Sequence, residues 1–198
     1  MKRSGIFLST CALSAAVLVC GQTGFSQNTT SASSSDKKFV RSALEGGNAE
    51  VKLGQLAAQK GSSDDVKQFG QKMVDDHTKL GDQMKQIAQQ QGIEVPDGVP
   101  AKDKALEAKL NSLSGDAFDK AYIKAMLQDH KKDLSEFKKE ASSGNDTSIK
   151  DAASQGSQVI SEHLQMVQQI AEKHNIKSSD PMSNDMSGQP TGHREQQH

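Results

Sequence analysis

Cysteine is almost absent from this chain of 198 residues, which has only Cys11 and Cys20, both near the N-terminus. Residues 1–26 have the layout of a secretory signal peptide, because two basic residues precede a short apolar run over 6–19. Cleavage after Ser26 would leave a mature chain without cysteine. That chain would have no disulfide, no thiolate nucleophile and no cysteine metal ligand.

The same N-terminal segment predicts where the protein acts. A signal peptide directs the chain out of the cytoplasm, so we expect an exported protein of the periplasm or outer envelope. Lipid attachment at Cys20 is an alternative, but the bulky Val19 before it suits that processing poorly. No later apolar run is long enough to cross a bilayer, so the mature chain is predicted to have no transmembrane segment.

An excess of charge of one sign is also missing. The chain has 24 Lys and Arg against 25 Asp and Glu, so it offers no overall basic field for nucleic acid. The sequence motifs of common enzyme classes are absent as well: there is no Gly-rich phosphate loop, no His-Glu-x-x-His and no Gly-x-Ser-x-Gly. We therefore expect no nucleic-acid partner, assign no catalytic residue and favour a non-enzymatic protein.

The alternation of apolar and polar residues typical of strands is absent, whereas helical patterns cover most of the chain. The predicted fold is all-α: a ferritin-like four-helix bundle over residues 37–175, with a short extra helix in the second connection. That connection is long enough to cross the length of the bundle. The predicted helices cover 37–60, 64–91, 102–113, 116–141 and about 147–174.

Both ends of this domain have the composition of unstructured chain. Residues 27–36 are rich in Ser and Thr and are predicted to form a flexible linker. Residues 176–198 are predicted to form a disordered tail, because they have no apolar stripe. The tail residues Met182, Met186, His193 and His198 are typical of weak capture of soft metal ions, but a solvated tail is the simpler interpretation.

Three histidines lie on the apolar seams of three separate helix patterns. His77, His130 and His163 each take an apolar position in a repeat of four and three residues, and Glu50 takes the matching place in the first helix. Measured from the nearest turn, the two residues of each helix pair differ in depth by roughly 4.5 Å at a rise of about 1.5 Å per residue. Long side chains can absorb that offset, so we expect these four residues in one layer.

Two interpretations of this layer remain open. Three imidazoles and one carboxylate can complete a four-coordinate site for one divalent transition metal ion. The acidic residues directly before the histidines, Asp76, Asp129 and Glu162, would then orient an imidazole of a neighbouring helix. In the other interpretation the histidines are structural, and each imidazole is hydrogen-bonded across a metal-free core.

A set of short motifs is spread over the four long helix patterns. The motifs are Phe39-Val40, Glu50-Val51-Lys52-Leu53-Gly54, Phe69-Gly70-Gln71-Lys72-Met73-Val74-Asp75-Asp76-His77, Phe118-Asp119-Lys120-Ala121-Tyr122, Asp129-His130 and Glu162-His163-Leu164. Together they resemble those of a known family, the bacterial exported domain of unknown function 4142 family. The resemblance covers about residues 37–175 and implies a ferritin-like four-helix bundle and export, with no established activity.

The chain departs from the di-iron proteins of the broader ferritin-like group. Those proteins carry Glu-x-x-His on two helices, whereas apolar residues stand three positions before each histidine of this chain: Val74, Leu127 and Ile160. The leading hypothesis is therefore an exported, non-enzymatic envelope protein whose bundle centre binds a divalent metal. The alternative is a metal-free structural or protein-interaction module that presents its outer helix faces to a partner.

Overall fold

The computed structural model describes residues 31–177, which form five α-helices and contain no strand. The predicted all-α fold is confirmed, whereas the predicted signal peptide and residues 178–198 of the predicted tail lie outside the described residues. No helix within 31–177 combines the length and the apolar character needed to span a membrane. The helices are α1 (Ser34–Lys60), α2 (Asp64–Gln90), α3 (Ala101–Asn111), α4 (Gly115–Ser143) and α5 (Thr147–Lys173).

The four long helices form two antiparallel hairpins, α1 with α2 and α4 with α5, which pack side by side. Short turns over 61–63 and 144–146 join the helices within each hairpin. The connection over 91–114 runs from one end of the bundle to the other and contains α3, which packs against α1 and α4. This long crossover makes α2 parallel to α4, the arrangement of ferritin-like bundles.

Two buried aspartates tie the hairpins together, one at each end of the bundle. Asp119 in α4 accepts hydrogen bonds from the backbone N–H groups of Ser62 and Ser63, both at 2.8 Å, in the turn between α1 and α2. Asp36 in α1 accepts from the N–H groups of Asn145 and Asp146, both at 3.1 Å, in the turn between α4 and α5. Each carboxylate therefore satisfies N–H groups that begin a helix of the other hairpin.

The predicted flexible linker is wrong for residues 34–36. Ser33 caps α1, because its side chain accepts from the N–H of Asp36 while Asp36 accepts from the N–H of Ser33. A capping box of this kind starts a helix, so part of the Ser-rich segment begins α1. The domain also ends later than predicted, since Ile176 is buried against the core.

The interior has two apolar cores separated by a polar layer. The larger core includes Phe69, Tyr122 and Val167 and fills the end of the bundle near the α1–α2 turn. The smaller core includes Val40 and Ile149 and fills the opposite end. The polar layer lies between them, near the middle of all four long helices, and contains Glu50, His77, His130 and His163.

Candidate metal centre

The three seam histidines converge in the interior. Their ring centroids are 5.2 Å apart for His77 and His163, 5.6 Å for His130 and His163, and 5.9 Å for His77 and His130. His130 and His163 are 0% exposed and His77 is 4% exposed. One ring nitrogen from each residue lies within 4.8 Å of the other two, so a single ion could contact all three after small rotamer changes.

One nitrogen of each imidazole is held by a hydrogen bond. His77 Nδ1 is 2.9 Å from Glu50 Oε2. His130 Nδ1 donates to the backbone carbonyl of Met126 at 3.1 Å. His163 Nε2 is 2.9 Å from Asp76 Oδ2. A carboxylate or carbonyl acceptor fixes the tautomer of His163 and His130 and leaves the lone pair on the other nitrogen, the arrangement that metal-ligating histidines use. Glu50 does the same for His77 when its carboxyl group is ionised.

The opposite nitrogen of each ring is buried and has no hydrogen-bond partner among the described residues. These atoms are His77 Nε2, His130 Nε2 and His163 Nδ1. A metal-free structural cluster would be expected to satisfy such atoms, because buried polar groups are nearly always hydrogen-bonded. Three unsatisfied nitrogens at one place favour a bound metal ion that accepts three nitrogen ligands.

The protonation state also suits metal binding. Burial lowers the pKa of His77, His130 and His163 to about 4 in each case, because a charged imidazolium loses its hydration there. Nearby carboxylates oppose this effect only partly. The imidazoles are therefore neutral at neutral pH, as a metal ligand must be.

Glu50 lies beside the histidines but belongs to a second group of side chains. Its Oε2 atom is held by His77, and its Oε1 atom, 3.7 Å from His130 Nε2, is buried without a hydrogen-bond partner among residues 31–177. Burial raises the pKa of Glu50 to about 8. One carboxylate oxygen of Glu50 lies within 4.8 Å of oxygens of both Asp129 and Asp133.

The three acidic residues that precede the histidines make different contacts. Asp76 bonds to His163 on another helix, as predicted for an orienting carboxylate, and also accepts from Lys72 Nζ at 2.8 Å. The orienting role is wrong for Glu162, which is exposed to solvent. It is also wrong for Asp129, which turns towards Glu50, and burial raises its pKa to about 7. Each acidic residue lies about 100° around its helix from the histidine that follows it. What its side chain contacts there depends on the neighbouring helices, which differ from one helix to the next.

Two further acidic residues of this region were not singled out by sequence reasoning. Asp133 lies one helical turn after Asp129, and Asp103 comes from the short helix α3. The spacing of four residues between Asp129 and Asp133 is a sequence signal for a shared helix face. Nothing in the sequence connects Asp103 to that face, since only the packing of α3 on α1 and α4 brings it there.

A surface groove reaches His77. It has a volume of about 400 Å³ and lies between α1, α2 and the connection that follows α2. Asn48, Lys52, Thr78 and Val99 also line it. The groove offers a hydrated ion a short route to the edge of the histidine layer.

The fold and this layer define a ferritin-like helical bundle with a buried cluster of three histidines. The chain belongs to the family described as Domain of unknown function (DUF4142), whose model matches residues 22–170. This confirms the family resemblance.

A solved structure with a similar fold is the crystal structure of a DUF305 fragment from Deinococcus radiodurans. The TM-score is 0.65 at 11% sequence identity, and the match covers 72% of this chain and 98% of that chain. At this identity the similarity shows the fold alone. No curated protein is significantly similar to the chain in sequence.

Proposed function

We propose that this protein binds one divalent transition metal ion at the centre of its bundle, through His77 Nε2, His130 Nε2 and His163 Nδ1. The observation that carries the proposal is that these three buried nitrogens have no hydrogen-bond partner among residues 31–177. Imidazole nitrogens suit zinc, copper, nickel and related ions. Glu50 Oε1, which is also unpartnered and is 3.7 Å from His130 Nε2, is the candidate for the fourth position.

The surroundings of the three nitrogens support retention of an ion. The ring of Phe69 lies 6.3 Å from the His130 ring and 6.1 Å from the His163 ring, so it forms an apolar wall on the side of the larger core. Asp76 and Glu50 hold the outer nitrogens of His163 and His77 and orient both rings. The role we propose is therefore binding and holding of the ion by a non-enzymatic protein.

Calorimetric titration of the metal-free mature protein, residues 27–198, with zinc and copper tests this proposal. We expect one ion per chain and a higher melting temperature, because an ion bound only by the folded state adds about 2.7 kcal/mol at a concentration one hundred times its Kd. Alanine at His77, His130 or His163 should weaken binding at least tenfold. Alanine at His193 or His198, outside the described bundle, should leave it unchanged.

The controls separate the bundle centre from its alternatives. If tail variants weaken binding as much as the layer variants do, the ion is held by the tail. If the wild type shows no saturable binding of zinc, copper, manganese or iron, the metal proposal fails. The bundle would then be a metal-free interaction module.

We also propose that the protein is exported, on the basis of residues 1–26. Expression of the full chain in a bacterial host, followed by intact-mass analysis of the periplasmic fraction, should show loss of these residues without added lipid. The matched variant is Val17→Arg, which interrupts the apolar run and should leave the uncleaved chain in the cytoplasm. A wild-type chain retained uncleaved in the cytoplasm would contradict export, and a diacylglycerol group on Cys20 would contradict cleavage after Ser26.

A further inference from the structure

A second cavity lies where α3 packs against α1 and α4. It has a volume of about 380 Å³ and is lined by residues of α1, α3 and α4, among them Asp103, Asp129 and Asp133. A water molecule occupies roughly 30 Å³ of liquid volume, so the cavity has room for an ion that keeps several waters.

Three carboxylates meet beside this cavity. One oxygen from each of Glu50, Asp129 and Asp133 lies within 4.8 Å of the other two. Asp129 and Asp133 are one turn apart on the same face of α4, and Glu50 reaches them from α1. Ligands from two packed helices can close on one ion with small changes of side-chain rotamer.

The packing leaves oxygen atoms in this region without partners. Glu50 is 3% exposed, and its Oε1 atom has no hydrogen-bond partner within the described part of the chain. The same holds for Oδ2 of Asp103, which is 7% exposed and lines the cavity from α3. Carboxylate oxygens in such positions require a proton or a cation.

The nearby lysines balance only part of this negative charge. Lys102 Nζ is 3.5 Å from Asp103 and 3.8 Å from Asp129, and Lys132 Nζ is 3.2 Å from Asp133. Both lysine side chains are more than half exposed, so their charges are well screened by solvent. Two lysines cannot neutralise four carboxylates, and a bound divalent cation would reduce this imbalance of charge.

We propose that Glu50, Asp129 and Asp133 form a second, oxygen-ligand site for a hard divalent cation, adjacent to the histidine centre and sharing Glu50 with it. Asp103 completes its outer wall. Carboxylate oxygens and water suit manganese, magnesium and calcium, whereas imidazoles suit softer ions, so the two sites have different preferences. The second site does not require an ion in the histidine centre, because Asp129 and Asp133 take no part in that centre.

Titration of the mature protein with Mn²⁺, with free Mn²⁺ measured by electron paramagnetic resonance, tests this site. The zinc-saturated protein is used first, because zinc then occupies the histidine centre. We expect one Mn²⁺ per chain in the wild type and at least tenfold weaker binding in Asp133→Asn. Glu136→Gln is the matched control, since Glu136 lies on the same helix and lines the same cavity. It should bind Mn²⁺ as the wild type does.

A second pair of variants keeps this test independent of the histidine centre. Asp129→Asn should also weaken Mn²⁺ binding at least tenfold while zinc binding persists, and His163→Ala should weaken zinc binding while one Mn²⁺ still binds. Circular dichroism confirms that each variant is folded, and Asp129→Asn carries the test if Asp133→Asn is not. The proposal is overturned if the wild type binds no Mn²⁺ at millimolar concentration. It is equally overturned if Glu136→Gln weakens binding as much as Asp133→Asn, or if His163→Ala abolishes Mn²⁺ binding.

Discussion

Gly70→Ala is expected to lower the free energy of unfolding by about 3 kcal/mol or more, the upper range for overpacking of a tightly packed contact. A Cβ atom on Gly70 would lie 2.7 Å from both Ala58 N and Gly54 O, and 2.8 Å from Ala57 Cβ. Two of these three atoms are backbone atoms, which cannot move away by a rotamer change. The substitution therefore forces α1 and α2 apart.

The separation should also reach the polar layer. The same two helices carry Glu50, about one turn from Gly54, and His77, about two turns from Gly70, and these two side chains are joined at 2.9 Å. We expect zinc binding to weaken in Gly70→Ala, because Glu50 no longer orients the His77 ring. Gly54→Ala should behave in the same way, since its Cβ would lie 2.7 Å from Gly70 O.

Gly81→Ala is the matched control, because Gly81 lies on the same helix and a Cβ there would meet no atom within 4 Å. Alanine is favoured over glycine inside a helix by about 1 kcal/mol, so this variant should be more stable than the wild type. Urea denaturation of the wild type, Gly70→Ala and Gly81→Ala measures both effects. Equal stabilities for Gly70→Ala and Gly81→Ala would show that α1 and α2 are not in close contact at this point.

In the metal-free protein, the contribution of the buried histidines to stability is expected to fall steeply as the pH drops below about 6.5. An unfolded histidine has a pKa of about 6.5, whereas burial lowers the pKa of His77, His130 and His163 to about 4. The unfolded state therefore binds more protons in this interval. The stabilising contribution is complete above about pH 6.5 and is lost as the pH falls towards 4, at about 1.4 kcal/mol per pH unit for each histidine.

Glu50 opposes part of this loss. Burial raises the pKa of Glu50 to about 8, so its folded-state carboxyl group takes up a proton at a higher pH than the unfolded one. Burial also raises the pKa of Asp129 and of Glu140 to about 7 and raises that of Asp133, so these groups act in the same direction as Glu50. The pH dependence of the wild type is therefore a sum of opposing effects, and the histidine part is obtained by comparison with a histidine variant.

His130→Leu tests this account in the metal-free protein. Leucine has a similar size and removes the unsatisfied Nε2 atom, so stability at pH 7 should be unchanged or higher. Between pH 6.5 and 5, the stability of this variant relative to the wild type should rise by about 1.4 kcal/mol for each unit by which the pH falls. Urea denaturation at several pH values, in the presence of a chelator, measures both quantities.

The control for the pH series is His174→Gln. His174 follows α5 at the end of the bundle, outside the polar layer, and its ring contacts Asp65 at 3.2 Å. This variant should keep the slope of the wild type. A wild-type slope in His130→Leu as well would mean that the imidazole of His130 is not held neutral by burial.

The sequence determined the helices, the crossover and the depth of the polar layer. The repeat of four and three residues identifies which face of each helix is apolar, because a helix has one inward face whichever partner covers it. His77, His130 and His163 lie near the middle of their helices, so they reach one layer for any connection that forms a bundle. The capping box of Ser33 and Asp36 was also present in the sequence, but the Ser-rich composition favoured a linker there.

Only the tertiary structure decided which atoms face each other in that layer. Asp76 reaches His163 while Glu162 points into solvent, although both residues precede a histidine, because the rotation of each helix about its axis depends on what packs beside it. The pairing of Asp129 and Asp133 with Glu50, and the approach of Asp103 on α3, depend on contacts between residues far apart in the chain. Helical periodicity determines on which face of its own helix a side chain lies. Which nitrogens and oxygens of a site lack a hydrogen-bond partner depends on the side chains of neighbouring helices.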